Sequence, residues 1–377
     1  MKLALIGPRP PYRGGISHFN ARLTQELEKN HEVLRVNFSR LYPDFLFPGK
    51  TQYDSDSNTA DSESSRIIDS LNPQSWRRAG RLITANSPDA VIFHWWHPFF
   101  GPALRSIISK LSSTIVRIGV CHNVFPHEGH PLWKRLARWT LAAGDGYVLH
   151  SRSEVIDISR LGLYKPTLTL FHPIYDIFPG ESIPRDEARS RLGIAQDIKM
   201  ALYFGLIRPY KGVDVLLKAL QKLQDITQLK CFIVGEIYAE RDRLQELVRK
   251  LPPGMVELVD RYIPDAEVAL WFRAADVVAL PYKSATQSGV IPIAYRCGRP
   301  VIATRVGGLP DAVQEEITGW LVEPNDPHGL AQALRHFWGS SKTEDYEANI
   351  ARFRALRSWE RYAADLVEFI KRLNAEK

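Results

Sequence analysis

Twice along the chain, short apolar runs alternate with helical patterns, and no pattern constrains the fold more. The first set is "KLALIG", "HEVLRVNF", "DAVIFHWW", "TIVRIGVCHN" and "DGYVLHS". The second begins near residue 198 with "KMALYFG", then "LKCFIVGE", "MVELVDRY", "DVVALPY", "PVIATRV" and "GWLVE". Strands that are apolar on both faces, with helices between them, build parallel sheets covered on both sides. The chain is therefore expected to be α/β, with two doubly wound, Rossmann-like domains facing a central cleft. At 377 residues it is long enough for two cores. Ligands bind such sheets outside the carboxyl ends of the strands.

The expected boundaries are 1–178 for the first domain, 179–355 for the second and 356–377 for a closing helix. Two stretches break the alternation. Residues from about 43 to 65, "PDFLFPGKTQYDSDSNTADSESS", are Ser/Asp-rich and read as a long mobile loop. "IYDIFPGESIPRDEARS", with its prolines and charges and little periodicity, reads as the connection between domains.

Net charge is +7, which favours anionic partners such as phosphorylated ligands or acidic lipid. The basic residues are scattered and no recognition motif appears, so nucleic acid is not expected as a partner. Cys121, Cys231 and Cys297 are far apart and form no CxxC pair, as buried thiols in a reducing, cytoplasmic compartment would be. The opening "MKLALIG" has four consecutive apolar residues. A signal peptide needs about 7–15, so none is expected. No run reaches the roughly 18 apolar residues of a membrane span.

Anion chemistry is concentrated in "FGLIRPYKGVDVLLKAL". A strand feeds a loop, and the loop feeds an amphipathic helix with Arg208 and Lys211 at its mouth. Two cations there oppose the helix macrodipole unless an anion joins them. A second helix start is read at Ser288–Gly289, after "VVALPYKSATQ". It serves either as backbone N–H groups for an anion or as a plain cap by Ser288. Two such places in one domain favour a diphosphate ligand. "GPRPPYRGGISHF" lacks the GxGxxG spacing, and its Gly14–Gly15 is either a third phosphate approach or a tight turn.

"GLIRPYKGVDVLLKAL", "ADVVALPY", "CGRPVIATRVGGLPD" and "SWERYAADLVEFIKRL" resemble the retaining, nucleotide-sugar-dependent glycosyltransferases of the GT-B fold. That large family, glycosyl transferases group 1, includes sucrose-phosphate synthases and bacterial α-mannosyltransferases. The resemblance is strong over 198–377 and looser over 1–150. It implies that Arg208 and Lys211 hold the donor diphosphate and that no metal or cofactor is needed. It places the donor base near Glu236 and the backbone of Tyr262 and Ile263. It gives Gly15, Gly289 and Val290 a part in donor binding, and His122, in "CHN", the sugar hydroxyls or the reacting centre. The closing helix is implied to cross back to the first domain. A local capping role for His122 remains the alternative.

The sequence departs from the family at one place. The two glutamates that precede "CG" are Ala285 and Ile293 here, leaving Thr286, Gln287 and Ser288 for polar contacts. A nucleotide-sugar epimerase of the same fold, or an inactive partner subunit, would share most of these motifs. The acceptor would be a sugar or lipid-linked hydroxyl, in polysaccharide, glycolipid or cell-envelope glycan synthesis.

His122, His127 and His130, with Glu128, lack the spacing of helical zinc ligands, and acceptor contacts or a polar loop suit them better. The DxD within "DSDS" lies in the Ser-rich loop with no strand before it. "PLWKRLARWTL" sets Leu132, Trp133, Leu136 and either Trp139 or Thr140 against Lys134, Arg135 and Arg138, which suits either peripheral contact with an anionic membrane or a helix packed on the sheet. "FHWWHPFF" beside it supplies aromatics for the same contact or for a core.

Overall fold

The computed structural model describes residues 1–43, 52–53, 65–124, 131–173, 182–339 and 343–377. It divides into two compact units, Met1–Phe171 with Trp359–Lys377, and His172–Ser358.

In the first unit the strands are β1 (Lys2–Ile6), β2 (Glu32–Arg40), β3 (Ser65–Asp69), β4 (Ala90–Trp95), β5 (Val116–Cys121), β6 (Gly146–Leu149) and β7 (Thr167–Thr169). They form one sheet in the order β3-β2-β1-β4-β5-β6-β7, and every pairing is parallel. The order reverses between β1 and β4, the place where an open parallel sheet leaves room for a ligand. The helices are α1 (Gly15–Glu28), α2 (Pro73–Asn86), α3 (Gly101–Ile108), α4 (Pro131–Leu141) and α5 (Arg152–Arg160).

Both faces of this sheet are covered. Leu3 and Leu5 of β1 pack on one side with Phe19 and Leu23 of α1, while Ala4 and Ile6 pack on the other with Phe93 and Leu104. The final helix of the chain, Trp359–Ala375, belongs to the first face, where Tyr362, Leu366 and Ile370 are fully buried. Each buried side chain of that size contributes roughly 1.5–3 kcal/mol of burial free energy. This helix is thus part of the unit's core.

Two sequence readings bear on this unit. Trp95 and Phe100 of "FHWWHPFF" are fully buried, so the core reading of that stretch holds. Of the expected loop 43–65, residues 44–51 and 54–64, including "DSDS", lie outside the described residues. Its described part makes specific contacts. Gln52 bonds the Tyr42 main chain in both directions at 3.1 and 3.0 Å, Tyr53 stacks on Tyr12, and Ser65 opens β3.

In the second unit the strands are β8 (Lys199–Phe204), β9 (Leu229–Val234), β10 (Val256–Val259), β11 (Val277–Leu280), β12 (Val301–Thr304) and β13 (Gly319–Val322). Their order is β10-β9-β8-β11-β12-β13, again parallel throughout, with the reversal between β8 and β11. The helices are α6 (Arg185–Leu192), α7 (Val213–Leu220), α8 (Arg241–Arg249), α9 (Asp265–Ala274), α10 (Val290–Arg296), α11 (Leu309–Ala312), α12 (Pro327–Gly339) and α13 (Thr343–Ala355), and the closing helix of the first unit is α14 (Trp359–Ala375).

Helix α6 corrects the reading of "RDEARS" as irregular linker. Its inward side chain is Arg189, with no exposed surface, so no apolar stripe betrays the helix. The guanidinium donates to the carbonyls of Ala274, Ala195, Gln196 and Ile198 at 2.8–3.2 Å and to the Asp276 carboxylate. Burial of a charge is tolerable when it is paired and fully hydrogen-bonded in this way. All three cysteines are buried. Among the described residues, no helix is long and apolar enough to cross a membrane.

Candidate functional site

The second unit gathers its candidate residues at the reversal point between β8 and β11. Gly205 ends β8, and the chain then runs through Arg208 and a single 3-10 turn, Pro209–Lys211, into α7. Tyr282 to Gly289 follow β11 and lead into α10. Glycines let these loops close on one another. Gly212 has φ of 69°, and a Cβ there would fall onto the Pro281 carbonyl oxygen. A Cβ on Gly235 (φ 144°), at the end of β9, would fall onto the Gly205 carbonyl. Both positions need glycine for backbone conformation and for contact distance. The Lys283 N–H donating to the Tyr210 carbonyl at 2.7 Å ties the two loops together.

The two cations sit without acids. Among the described residues neither Arg208 nor Lys211 makes an ion pair, and the Arg208 Nε has no hydrogen-bond partner. Arg208 lies over the Tyr238 ring at 5.1 Å, and the Lys211 Nζ lies 5.4 Å from the Tyr282 ring centre. The Lys211 Nζ also occupies the space that a side chain on Gly205 would take, 3.3 Å from its Cβ position. Burial, and then the nearby Arg208 charge, push the Lys211 ammonium down to about 8. Among the described residues no carboxylate opposes that shift.

The sequence reading overlooked the acid of this region. Asp214, in the first turn of α7, is buried and pairs with Lys283 at 2.7 Å and Arg243 at 3.5 Å. It answers the α7 macrodipole locally. The opposition of Arg208 and Lys211 to that dipole is therefore eased, and what stays unanswered is their own charge.

The other named residues of this unit occupy neighbouring strand ends. The Glu236 main chain follows β9 and accepts from the Ile207 N–H at 2.9 Å, and its carboxylate accepts from the Tyr238 hydroxyl at 3.3 Å. Tyr262 and the buried Ile263 follow β10. The Ser288 hydroxyl accepts from the Val290 N–H at 3.3 Å, so it does cap α10, while Gly289 is the N-cap residue by position. The Thr286 carbonyl accepts from the Gly308 N–H at 2.8 Å, which joins the β11 and β12 ends. The Gln287 Nε2 is buried without a partner among the described residues. Ala285 and Ile293, where the resemblance has glutamates, are half-buried and pack on the apolar core.

In the first unit Gly15 opens α1, whose N-cap is Gly14 (φ 111°) and whose first turn carries neither an acid nor a capping side chain. His122 follows β5 directly, with its N–H donating to the Trp95 carbonyl at 2.8 Å. Its Nε2 lies 2.8 Å from the Nδ1 of His94, a partner the sequence reading did not name. His94, His122 and His150 come from the ends of three adjacent strands, and their rings stack in turn, followed by Tyr362 of α14. Phe19 of α1 meets all four rings edge-on. His127, Glu128 and His130 lie outside the described residues. Among the described residues, no group of three or more His, Cys, Asp or Glu could hold a metal.

Comparison with known proteins agrees with this architecture. Residues 198–339 match the family described as glycosyl transferases group 1, and residues 13–177 match glycosyltransferase family 4. A D-inositol 3-phosphate glycosyltransferase of Catenulispora acidiphila is 33% identical over 273 residues, covering 68% of this chain and 65% of that protein. One of Streptomyces coelicolor is 34% identical, covering 52% of this chain and 48% of that protein. The chain thus spans half to two thirds of the length of these relatives. In three dimensions it is similar to sucrose-phosphate synthase of Thermosynechococcus elongatus, with a TM-score of 0.76 and 19% identity over all of both chains. It is also similar to Anabaena HepE in complex with UDP, with a TM-score of 0.75 and 17% identity over 98% of this chain and all of that one. The fold is GT-B, and the second unit carries the match to the glycosyl transferases group 1 family over residues 198–339.

Proposed function

We propose that this chain is a retaining, metal-independent glycosyltransferase that moves a hexosyl group from a nucleoside-diphosphate sugar to a hydroxyl. The observation that carries this reading is the pair Arg208 and Lys211, set at the reversal point of a parallel sheet with no acid among the described residues to neutralise them. In sugar transfer the bond between the anomeric carbon and the diphosphate oxygen breaks, and negative charge grows on the leaving group. Fixed cations aimed at that charge stabilise the transition state more than the ground state. The new bond forms to the acceptor oxygen, whose proton passes to the departing phosphate oxygen. No protein nucleophile is then required.

Three solved neighbours, of HepE, carry UDP, UDP with glucose, or UDP-glucose, which supports a nucleotide sugar as donor. We give Glu236, Tyr262 and Ile263 to the base side, and Thr286, Gln287, Ser288, Gly289 and Val290 to the sugar and phosphates. Gly15 and His122 of the first unit serve the phosphates and the sugar. The acceptor is a sugar or lipid-linked hydroxyl in glycan synthesis. Contact with an anionic membrane surface falls to α4, where Leu132 (57%) and Trp139 (47%) are exposed beside the exposed Lys134, Arg135 and Arg138.

The test is nucleoside-diphosphate release from a panel of nucleotide sugars, with and without hydroxyl acceptors. Arg208→Ala and Lys211→Ala should each lower turnover by about 10²–10³, the scale for losing one charge-stabilising donor. Turnover close to wild type in both variants would overturn the reading. Conversion of the donor with no acceptor present would point to the epimerase instead.

A further inference from the structure

His94 is the last but one residue of β4 and has no exposed surface. Its ring is closely confined. A Cβ on Gly7, at the end of β1, would sit 2.8 Å from its Cδ2. Phe19 meets it edge-on at 5.9 Å, and the His122 ring stacks on it at 5.1 Å and 13°. Two facts fix what its nitrogens do. The Nδ1 lies 2.8 Å from the His122 Nε2, and the Nε2 is buried with no partner among the described residues.

We propose that His94 is a positioning residue that holds His122 as the neutral tautomer with its proton on Nδ1. A 2.8 Å contact between two imidazole nitrogens needs one hydrogen between them. If His122 supplied it, His94 would carry its own proton on Nε2, as a buried N–H with no acceptor. Such orphaned donors are rarer in folded proteins than orphaned acceptors. If His94 supplies it, the orphan is a lone pair, and His122 accepts at Nε2 and keeps its proton on Nδ1.

The surroundings keep the pair uncharged. An imidazolium at His122 would donate from Nε2 and force the His94 proton onto the orphaned side. Arg9, on the loop after β1, is the cation that acts on His94, and burial with this charge pushes His94 down to about 3. Among the described residues, the remaining titratable groups packed around His94 give it no countercharge at neutral pH. Burial pushes Glu154 of α5 up to about 8 and raises Cys121 of β5 and Tyr362 of α14 well above their usual values. His150, after β6, shares its nitrogens with the Cys121 carbonyl at 3.1 Å and the Tyr362 hydroxyl at 3.0 Å. A neutral histidine with a fixed Nδ1–H is a hydrogen-bond donor of constant strength, suited to a sugar hydroxyl or ring oxygen. That consequence rests on the proposed role of His122, whereas the tautomer does not.

The direct test is two-bond nitrogen–proton NMR of the full chain labelled with ¹⁵N-histidine, assigned with His94→Asn and His122→Phe. The expected spectrum shows a protonated Nδ1 and a bare Nε2 on His94, with His122 protonated at Nδ1 and not titrating near the ordinary histidine value of about 6.5. A protonated Nε2 on His94 would overturn the proposal. Two variants separate hydrogen bonding from packing. The amide introduced by His94→Asn places an N–H near the original Nδ1, whereas the ring introduced by His94→Phe fills the volume and donates nothing. His94→Phe should lower kcat by about 10- to 100-fold, the range for a hydrogen bond lost at a buried polar site, and add an acid limb to the pH profile. His94→Asn should recover most of that loss. Better activity in His94→Phe than in His94→Asn would contradict the proposal. Full turnover in His122→Phe, with the spectrum as expected, would remove His122 from the reaction and leave the tautomer assignment standing.

Discussion

Both units place polar side chains at the reversal point of a parallel sheet, yet the two sites are built on opposite terms. In the second unit Arg208 and Lys211 have no acidic partners among the described residues, and the Lys211 ammonium is held down to about 8 by burial and by its neighbour. In the first unit the polar groups answer one another: His94 to His122, and His150 to Tyr362 and to the Cys121 carbonyl. One site carries unspent positive charge and is suited to an anion. The other is neutral, aromatic and internally bonded, and is suited to a sugar. The same topology thus carries two kinds of site, because the residues at the strand ends, and not the sheet, set the charge.

This contrast can be broken most severely through function in the second unit and through packing in the first. Arg208→Ala or Lys211→Ala should lower turnover by about 10²–10³ with the fold intact. Leu366→Ala, in the buried face of α14, should lower the stability of the first unit by about 2–5 kcal/mol in denaturant unfolding and leave nucleoside-diphosphate binding in place. Diphosphate affinity that fell along with stability would show that the sites are not independent in this sense.

Smaller effects sharpen the comparison. A cation left without an acid costs stability, so Lys211→Met should raise the melting temperature near neutral pH while lowering turnover by about 10²–10³, a trade typical of functional sites. Because the folded-state value, about 8, lies below the ordinary lysine value of 10.5, the penalty is full below 8 and is relieved as pH rises toward 10.5. The gap between variant and wild type should therefore close in alkaline buffer. A constant gap would mean that Lys211 is not desolvated. Ser288→Ala should cost about 1 kcal/mol as the loss of a helix cap. The smallest effect concerns α4: flotation with anionic vesicles at low salt should carry the protein upward, and the double variant Leu132→Ser with Trp139→Ser should not float. Absence of flotation by the wild type would end the membrane proposal.

The sequence made the strands legible where apolar residues run together. All six strands of the second unit stand out in this way: the central β8, β9, β11 and β12 because a buried parallel strand admits few polar residues, and the partly exposed edge strands β10 and β13 because Val, Leu and Trp dominate them. Strands β3 ("SRIID") and β7 ("TLT") did not, since they are short edge strands with half-exposed or polar side chains. Helix α6 was hidden because its anchor is Arg189, and periodicity analysis counts arginine as a surface residue. Arg208 and Lys211 were legible from their loop, but Asp214 was not, because an acid one turn into a helix looks like ordinary surface charge. His94 was missed for a related reason. It lies inside an apolar strand, and only the sheet register, which pairs His94 with Val120 and Trp95 with Cys121, brings it beside His122. One signal was available: "FHW", "CHN" and "LHS" each put a histidine at a strand's carboxyl end.

The most direct measurement is calorimetric binding of nucleoside diphosphates at about pH 9, between the folded and ordinary lysine values, in buffers of different ionisation enthalpy, for wild type and Lys211→Arg. In the free protein the Lys211 amine is mostly neutral at that pH, and a diphosphate beside it would restore its charge. The account predicts uptake of up to about one proton per ligand in the wild type and none at this position in Lys211→Arg. Tight binding with no proton uptake, and with the same affinity in Lys211→Ala, would contradict it.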